Sequence, residues 1–158
     1  MSVITTVSYK FPSFSGLDFR FLELGDYQKG FTHLLAELTS CQMTEDEFKT
    51  FFEEMRVINR HLVVVAEDPK TTKIVACATL LVERKFIHCG GLVGHIEDVA
   101  VSINYRGRGI GKSLITCLED LARATKCYKI VLDCSNTVKG FYEKCGIQFK
   151  DNCMAVYL

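Results

Sequence analysis

The chain has 158 residues, of which 48% are hydrophobic, so it can build one ordinary domain around one core. Its 19 basic residues balance its 19 acidic residues, and this neutrality excludes a global field that would attract nucleic acid or an anionic membrane. Any anion site must therefore be local, built by a few side chains and backbone amides.

The eight cysteines lack the spacings of zinc sites and of disulfide-rich secreted domains, since no two of them form a CxxC pair. The N-terminal segment has no basic head followed by a long apolar core, so no signal peptide is expected. No apolar run approaches the ~20 residues that span a bilayer. A reduced, cytoplasmic protein without a metal is therefore the expectation.

The predicted elements begin after residues 1–15, which we expect to form a loose arm of a single domain covering the chain. Residues 18–24 alternate as in a strand, and residues 27–38 repeat apolar side chains at helical spacing. Thr44 and Glu47 have the spacing of a capping box at the start of a second helix. Runs rich in β-branched residues then predict three strands, over 61–67, 73–88 and 92–102.

A glycine-rich loop separates those strands from the rest of the chain. Apolar residues repeat at helical spacing from Ile110 to Ala122, and residues 128–134 form an apolar run typical of a buried strand. A short helix over 137–145 and a final strand over 153–158 follow. The order β-α-α-β-β-β-α-β-α-β predicts a single α/β (α+β) domain, with a mixed central sheet flanked by helices.

The loop itself, RGRGIGKS at Arg106–Ser113, has the composition of a phosphate-binding loop. A nucleotide P-loop needs a glycine five positions before Gly111, where the chain has Arg106. A dinucleotide fingerprint that starts at Gly107 needs its third glycine where the chain has Lys112. Both patterns fail, and what remains is R-x-x-G-x-G, which begins at Arg106.

This remaining pattern suits a pyrophosphate. Glycines let consecutive backbone N–H groups approach one anion, and a helix N-terminus adds roughly half a positive charge. Arg106, Arg108 and Lys112 add their full charges. On the loop alone, a glycine-rich turn with solvated basic side chains is the alternative.

Around the loop, GHIEDVAVSINYRGRGIGKSLITCLEDLA resembles the strand, loop and helix of the GNAT N-acetyltransferases. Four segments narrow the resemblance to the glucosamine 6-phosphate N-acetyltransferases of that superfamily: ERKFIH (83–88), GHIEDVAV (94–101), CYKIVLDC (127–134) and FYEKCG (141–146). In the first 80 residues the similarity is mainly one of layout, with ELTS (37–40) similar to the family's substrate-contacting segment. The resemblance implies the GNAT fold, acetyl-CoA as co-substrate, and glucosamine 6-phosphate as the acceptor, acetylated on its 2-amino group.

The resemblance also implies a coenzyme site. In that family the backbone of the strand before the loop holds the pantetheine arm, and the R-x-x-G-x-G loop holds the pyrophosphate. The N–H groups around Val99 would receive the thioester oxygen as negative charge develops on it. The implied coenzyme-binding residues are Asp98, Val99, Ala100, Val101, Arg106, Gly107, Arg108, Gly109, Ile110, Gly111, Lys112 and Tyr142.

Four residues carry the chemistry that the resemblance implies. Glu97 and Asp98 lie where the amine is bound and deprotonated; as strand neighbours they are expected to point to opposite faces, which leaves open the one that meets the amine. Asp133 is implied as a ligand of the amine or of a sugar hydroxyl, with capping of the next helix as the alternative. Tyr142 matches the tyrosine near the coenzyme sulfur, where a phenol can protonate the thiolate; a place in the core or at its rim is the alternative.

The acceptor phosphate needs cations or amides. Lys85 matches the family's lysine in ERK, and Thr39 matches the threonine of its LT segment, although either side chain could otherwise belong to the surface. Arg84 and His88 lie near Lys85 in the sequence and are weaker candidates for contacts with this phosphate. The implied acceptor-binding residues are Thr39, Lys85, Glu97, Asp98 and Asp133.

Two positions depart from the family. Val138 stands where an asparagine usually opens the last helix, so Asn136 or Thr137 would have to cap that helix instead. Relatives tend to carry a basic residue near the C-terminus that reaches the sugar phosphate of the neighbouring subunit, whereas nothing basic follows Lys150. We expect a two-fold symmetric homodimer with the strand CMAVYL (153–158) at its interface, and neither a nucleic acid nor a membrane as partner.

Two other functions are compatible with the coenzyme pattern. One is the same fold acetylating another amine, such as a polyamine or a protein N-terminus, which would lack the phosphate pocket with Lys85 and Thr39. The other is a non-catalytic acyl-CoA-binding module, which would lack an acceptor cleft around Glu97, Asp133 and Tyr142.

Overall fold

In the computed structural model, which describes residues 8–157, the strands form one mixed sheet. Neighbours in the sheet follow chain order, every pair up to β5 is antiparallel, and β6 pairs with β5 in parallel. The mixed sheet of the predicted α/β fold is thus confirmed. The strands are β1 (Ser13–Phe14), β2 (Leu17–Phe21), β3 (His61–Asp68), β4 (Lys73–Arg84), β5 (Leu92–Val101) and β6 (Cys127–Val131).

The helices connect these strands and include one pair between β2 and β3. The capping box predicted at the start of α2 is present, since the Thr44 N–H donates to Glu47 Oε2 (2.8 Å) and the Glu47 N–H donates to Thr44 Oγ1 (3.3 Å). Short 3₁₀ turns precede α1 and α4, over Leu24–Tyr27 and Ile103–Tyr105. The helices are α1 (Phe31–Ala36), α2 (Glu45–Ile58), α3 (Ile87–Gly90, a single turn), α4 (Ile110–Ala124) and α5 (Lys139–Lys144).

The sheet is covered on both faces, and this explains why β4 is an almost continuous apolar run. On one face, Ala78 and Leu80 belong to a buried cluster with Leu114 and Leu118 of α4. On the other face, Cys77 belongs to a second cluster built mainly from α1 and α2. The sheet is therefore held rigidly from both sides where it positions the predicted site. None of the helices within residues 8–157 is long and apolar enough to cross a bilayer.

Two predicted strands are longer than those observed. The strand predicted over 73–88 ends at Arg84, and the chain then turns, since His88 and Cys89 adopt left-handed backbone angles (φ 53° and 54°) outside the extended range of a regular strand. The strand predicted over 128–134 ends at Val131, and its assignment as a buried strand is wrong. It lies at the edge of the sheet, where Tyr128 is 43% exposed.

The structure also differs from the predictions made for the two ends of the chain. Residues 1–7 of the loose arm expected over 1–15 lie outside the described residues. In the remainder of the arm, Tyr9 donates a hydrogen bond to Asp120 Oδ2 (3.2 Å), and its ring contacts Phe11 edge-on. The predicted final strand is wrong for residues 153–157, which form no strand and are exposed, with Tyr157 97% accessible. A strand needs a partner, and β6 is left without one on its outer edge within residues 8–157.

Candidate active site

The site is centred where β5 and β6 separate. Their parallel pairing ends at His95 and Val131, yet β5 continues to Val101. From Ile96 onward this edge of β5 faces no strand in the described part of the chain. An unpaired strand edge offers backbone N–H and C=O groups to an extended ligand. The predicted coenzyme-binding residues Val99 and Ala100 lie on this stretch.

A β-bulge interrupts β5 at the same point. Cys77 of β4 pairs with Ala100 and Thr79 pairs with Glu97, so the single residue between them on β4 faces Asp98 and Val99 together. Asp98 has φ +52°, the left-handed conformation that such bulges use. Strict alternation is therefore interrupted at Asp98, and the expectation that Glu97 and Asp98 point to opposite faces stays a prediction. The local register at the bulge, and not regular strand alternation alone, sets the directions of their side chains.

The glycine-rich loop leads directly into α4. Gly107 and Gly109 have φ values of +76° and +79°, which a residue with a side chain adopts only at a cost. Gly109 is the N-cap of α4 and supplies no side-chain cap, and the first bond from the helix goes from the Ser113 N–H to the Gly109 carbonyl (3.1 Å). The N–H groups of residues 110–112 thus lack helical partners and can bind an anion, aided by the helix dipole.

The two arginines of the loop are anchored to the protein itself. Arg106 donates from Nε to the Val101 carbonyl (2.9 Å), and its Nη2 lies 3.7 Å from Glu37 Oε2. Arg108 donates to the Asn104 carbonyl (2.9 Å) and stacks over a neighbouring tyrosine ring. Both guanidinium groups therefore bond to backbone carbonyls at the start of the loop, although the Arg106 side chain stays 55% exposed.

If the loop binds the acetyl-CoA that the resemblance implies, Gly111→Val should raise the KM for acetyl-CoA about tenfold or more, because it would misplace the amides that meet a charged phosphate. A Cβ at Gly111 would lie 3.1 Å from the Phe141 ring, so a branched side chain must displace that ring or the loop. Gly140→Ala is the matched control, because its added Cβ meets nothing within 4 Å. Steady-state kinetics on both variants measure the difference, and an unchanged KM in a folded Gly111→Val protein would contradict the site.

Three predicted catalytic side chains come together beside the open edge of β5. Burial raises the pKa of the Glu97 carboxyl, and the charges of Asp98 and Asp133 raise it further. Burial also raises the pKa of the Tyr142 phenol, followed by the nearby Cys134 and Cys145 and by Glu97. Glu97 in β5, Asp133 just beyond β6, and Tyr142 in α5 are thus electrostatic neighbours although the chain separates them widely.

Neither of the capping roles considered for the start of α5 is present. Val138 is the N-cap of this helix, and no side chain caps it. Asp133 is therefore not consumed as a helix cap, and the expectation that Asn136 or Thr137 replaces the missing asparagine there is wrong. Thr137 instead shares a hydrogen bond with the Ser135 hydroxyl (2.6 Å).

Asp98 faces a different set of groups. The Cys77 thiol donates to the Asp98 carbonyl (3.5 Å), and the charge of Asp98 contributes, after burial, to the raised pKa of Cys41. Cys41 lies two residues after Thr39, in the connection between α1 and α2. The charge of Asp98 therefore acts on Cys41, near Thr39 in the chain, as well as on the neighbouring Glu97.

Lys85 belongs to a charged cluster that extends the site away from the coenzyme edge. Glu83 forms an ion pair with Lys85 and a hydrogen bond with His95 Nε2, the latter at 2.8 Å. Both contacts lower the pKa of the Glu83 carboxyl, Lys85 more than His95. His95 and Glu97 are alternate residues of β5, so they share one face of the sheet. Neither Glu83 nor His95 was predicted from the sequence, although the spacing of Glu83 and Lys85 was a usable signal.

The arrangement is therefore a set of titratable side chains along one end of the sheet, together with a helix start whose backbone N–H groups lack helical partners. It provides a carboxylate of raised pKa, a phenol that keeps its proton at neutral pH, backbone donors and a lysine. These are the groups required to deprotonate an amine, protonate a leaving group and hold a phosphate.

Comparison with known proteins agrees with this geometry. The model of the acetyltransferase (GNAT) family matches residues 29–147. The chain is 40% identical over 144 residues to glucosamine 6-phosphate N-acetyltransferase 1 of Dictyostelium discoideum, covering 90% of this chain and 92% of that protein. It is 44% identical over 138 residues to glucosamine 6-phosphate N-acetyltransferase 1 of Oryza sativa subsp. japonica, covering 86% and 84% respectively. The crystal structure of glucosamine-6-phosphate N-acetyltransferase from Arabidopsis thaliana superposes with a TM-score of 0.86 at 40% identity, covering 89% and 97% of the two chains.

Proposed function

The chain belongs to the GNAT acetyltransferase family, and we propose that it transfers the acetyl group of acetyl-CoA to the 2-amino group of glucosamine 6-phosphate. The products are N-acetylglucosamine 6-phosphate and CoA. Acetyltransferases of this family use acetyl-CoA, and the relatives named above carry this activity in their names. The observation that carries the proposal is the edge of β5 that is left open beyond His95, with Glu97 on this edge and Asp133 two residues past the end of β6.

The coenzyme lies along the open edge of β5 in this proposal. Its pantetheine arm pairs with the backbone of Asp98–Val101, and its pyrophosphate meets the amides of Gly107–Lys112 at the start of α4. The bulge at Asp98 turns backbone N–H groups near Val99 out of the regular ladder, which suits them to receive the thioester oxygen. Holding both substrates in one geometry itself removes several kcal/mol from the barrier, about 7 or more in well-oriented cases.

The reaction is a direct attack of the amine on the thioester carbon. The Glu97 carboxylate accepts a proton from the amine, and its raised pKa makes it a stronger base than an ordinary glutamate. The amine nitrogen forms a bond to the carbonyl carbon, and negative charge moves to the oxygen. As the carbon–sulfur bond breaks, the Tyr142 phenol donates its proton to the departing thiolate. Asp133 holds the amine or a neighbouring hydroxyl of the sugar.

Lys85→Ala is expected to raise the KM for glucosamine 6-phosphate about tenfold or more while leaving the KM for acetyl-CoA nearly unchanged. Lys85 is the cation of the Glu83 cluster, and with Thr39 it is proposed to bind the sugar phosphate. Lys49→Ala, on the exposed face of α2, is the control. Kinetics with glucosamine 6-phosphate and with glucosamine compare the two acceptors. An equal loss of kcat/KM for both would show that Lys85 does not bind the phosphate.

The proposal includes a two-fold symmetric homodimer and a cytoplasmic location. The apolar side chains Met154 and Tyr157 are 94% and 97% exposed, and the outer edge of β6 has no strand beside it within residues 8–157. A second copy that covers both would remove an edge prone to aggregation. Eight free thiols suit a reducing compartment. Light scattering at assay concentration measures the assembly, and a monomer with full activity would contradict the dimer.

The decisive experiment for the function is thiol release from acetyl-CoA across a panel of amines. We expect glucosamine 6-phosphate to be used far better than glucosamine, a polyamine or a peptide N-terminus. A preference for another amine would keep the assignment as an acetyltransferase and rule out glucosamine 6-phosphate as its acceptor. Coenzyme binding without thiol release from any amine would indicate a non-catalytic acyl-CoA-binding module.

A further inference from the structure

One carboxylate outside the residues assigned so far connects helix α1 to the phosphate loop. Glu37 lies at the C-cap of α1, and its Oε1 accepts a hydrogen bond from the Ser102 hydroxyl (2.9 Å). Its Oε2 accepts a hydrogen bond from the Ile103 backbone N–H (2.8 Å) and lies 3.7 Å from Arg106 Nη2. A single side chain thus contacts three residues at the beginning of the loop, more than 60 positions away along the chain.

These contacts act at the point where β5 ends and the loop begins. Ile103 is the first residue of the 3₁₀ turn, whose N-cap, Ser102, makes no side-chain cap of its own. The N–H groups at such a terminus need partners, and Glu37 satisfies one of them with a charged acceptor. Arg106 closes the same turn by its second contact, to the Val101 carbonyl (2.9 Å). The carboxylate therefore sets the direction in which the chain leaves β5.

We propose that Glu37 is a positioning residue for coenzyme binding, which holds Ser102 and Arg106 so that the amides of Gly107–Gly111 point at the pyrophosphate. The inference rests on the proposed function, since it assumes that the loop binds coenzyme A. Glu37 does not touch the phosphate; it acts through the turn and through Arg106. Nothing in the R-x-x-G-x-G pattern includes this residue, because it comes from another helix.

Glu37→Ala is expected to raise the Kd for CoA, measured by isothermal titration calorimetry, about tenfold, with kcat at saturating acetyl-CoA within about twofold of the unaltered enzyme. This difference between Kd and kcat is expected because the contacts of Glu37 go to Ser102, Ile103 and Arg106, which order the loop, and not to the residues proposed for the chemistry. Glu37→Gln retains one acceptor oxygen and should recover part of the affinity. Glu53→Ala is the matched control, since Glu53 forms only a surface ion pair with Arg56 in α2 (2.7 Å).

A double-mutant cycle tests whether Glu37 acts through Arg106. If it does, Glu37→Ala weakens CoA binding less in an Arg106→Ala background than in the unaltered enzyme, because the shared contact is already lost. Fully multiplicative effects, or an unchanged Kd for CoA in both Glu37 variants, would overturn the proposal. In that case acetylation of glucosamine 6-phosphate would persist and the proposed function would stand. Normal CoA binding with no acetylation of that sugar by the unaltered enzyme would instead contradict the proposed function.

Discussion

Tyr142→Phe is expected to lower kcat about 10²-fold or more with little change in the KM for either substrate. The substitution keeps the ring that packs against the core and removes only the phenolic proton. Burial and the neighbouring Cys134, Cys145 and Glu97 raise the pKa of Tyr142, so at neutral pH the phenol is protonated and can donate to the thiolate. The raised pKa thus favours the acid role over the base role.

The measurement is kcat under conditions where chemistry limits turnover, in parallel with the melting temperature. Tyr128→Phe is the control, because Tyr128 is 43% exposed on β6 and should leave kcat unchanged. Equal kcat values for the Tyr142→Phe and unaltered enzymes would mean that water protonates the thiolate. The role of Tyr142 would then be one of packing alone.

Glu97→Gln is expected to reduce kcat/KM for the acceptor by about 10²- to 10⁴-fold, the range that general base catalysis contributes. In the unaltered enzyme, the carboxylate must be ionised to take the proton of the amine. Because burial, Asp98 and Asp133 raise the pKa of Glu97, kcat/KM should begin to fall at a higher pH than for an ordinary glutamate as the solution is made acidic. The Glu97→Gln variant should lose this acid limb, which a pH profile of both proteins measures directly.

The same substitution should not destabilise the protein near neutral pH. A carboxyl whose folded pKa is raised binds its proton more tightly in the folded than in the unfolded state, so its ionisation lowers stability as pH rises through the interval between the two pKa values. The uncharged amide that Glu97→Gln introduces removes that cost. Loss of activity with an equal or higher melting temperature is the expected pair of results, and a large fall in both would indicate a structural role.

Asp98→Asn separates the two adjacent carboxylates. Asparagine tolerates the left-handed φ of +52° at this position, so the bulge is retained. Because the variant keeps the Glu97 carboxylate, which is proposed as the base, a smaller loss of kcat/KM is expected for Asp98→Asn than for Glu97→Gln. A larger loss would assign the amine to Asp98.

Local sequence was sufficient for elements whose stability is local. The capping box at Thr44 and Glu47 and the helical period of α4 depend on neighbours within four residues, and the structure has both. The left-handed Gly107 and Gly109 of the loop belong to the same class, because only glycine occupies that conformation without a steric cost. The fold class followed from the order of these elements.

Patterns that depend on a partner strand were less informative. Residues 153–157 have the apolar content of a strand, yet a strand forms only where another edge is available to pair with it. The bulge at Asp98 is likewise a property of the register between β4 and β5, since it requires two residues of one strand to face one residue of the other. No periodicity within either segment encodes that register.

The amino-acid sequence identifies the residues with suitable chemistry: the glycines of the loop, the carboxylates at 97, 98 and 133, and the phenol at 142. Which of them lie near one another depends on the fold, because the proximity of Glu97 to Asp133 and the contacts of Glu83 with His95 and of Glu37 with Ser102 join segments that no local signal links along the chain. Such contacts exist only after the sheet has set its register and the helices have packed on it. Composition and spacing therefore identify the parts of the site, and packing assigns their partners.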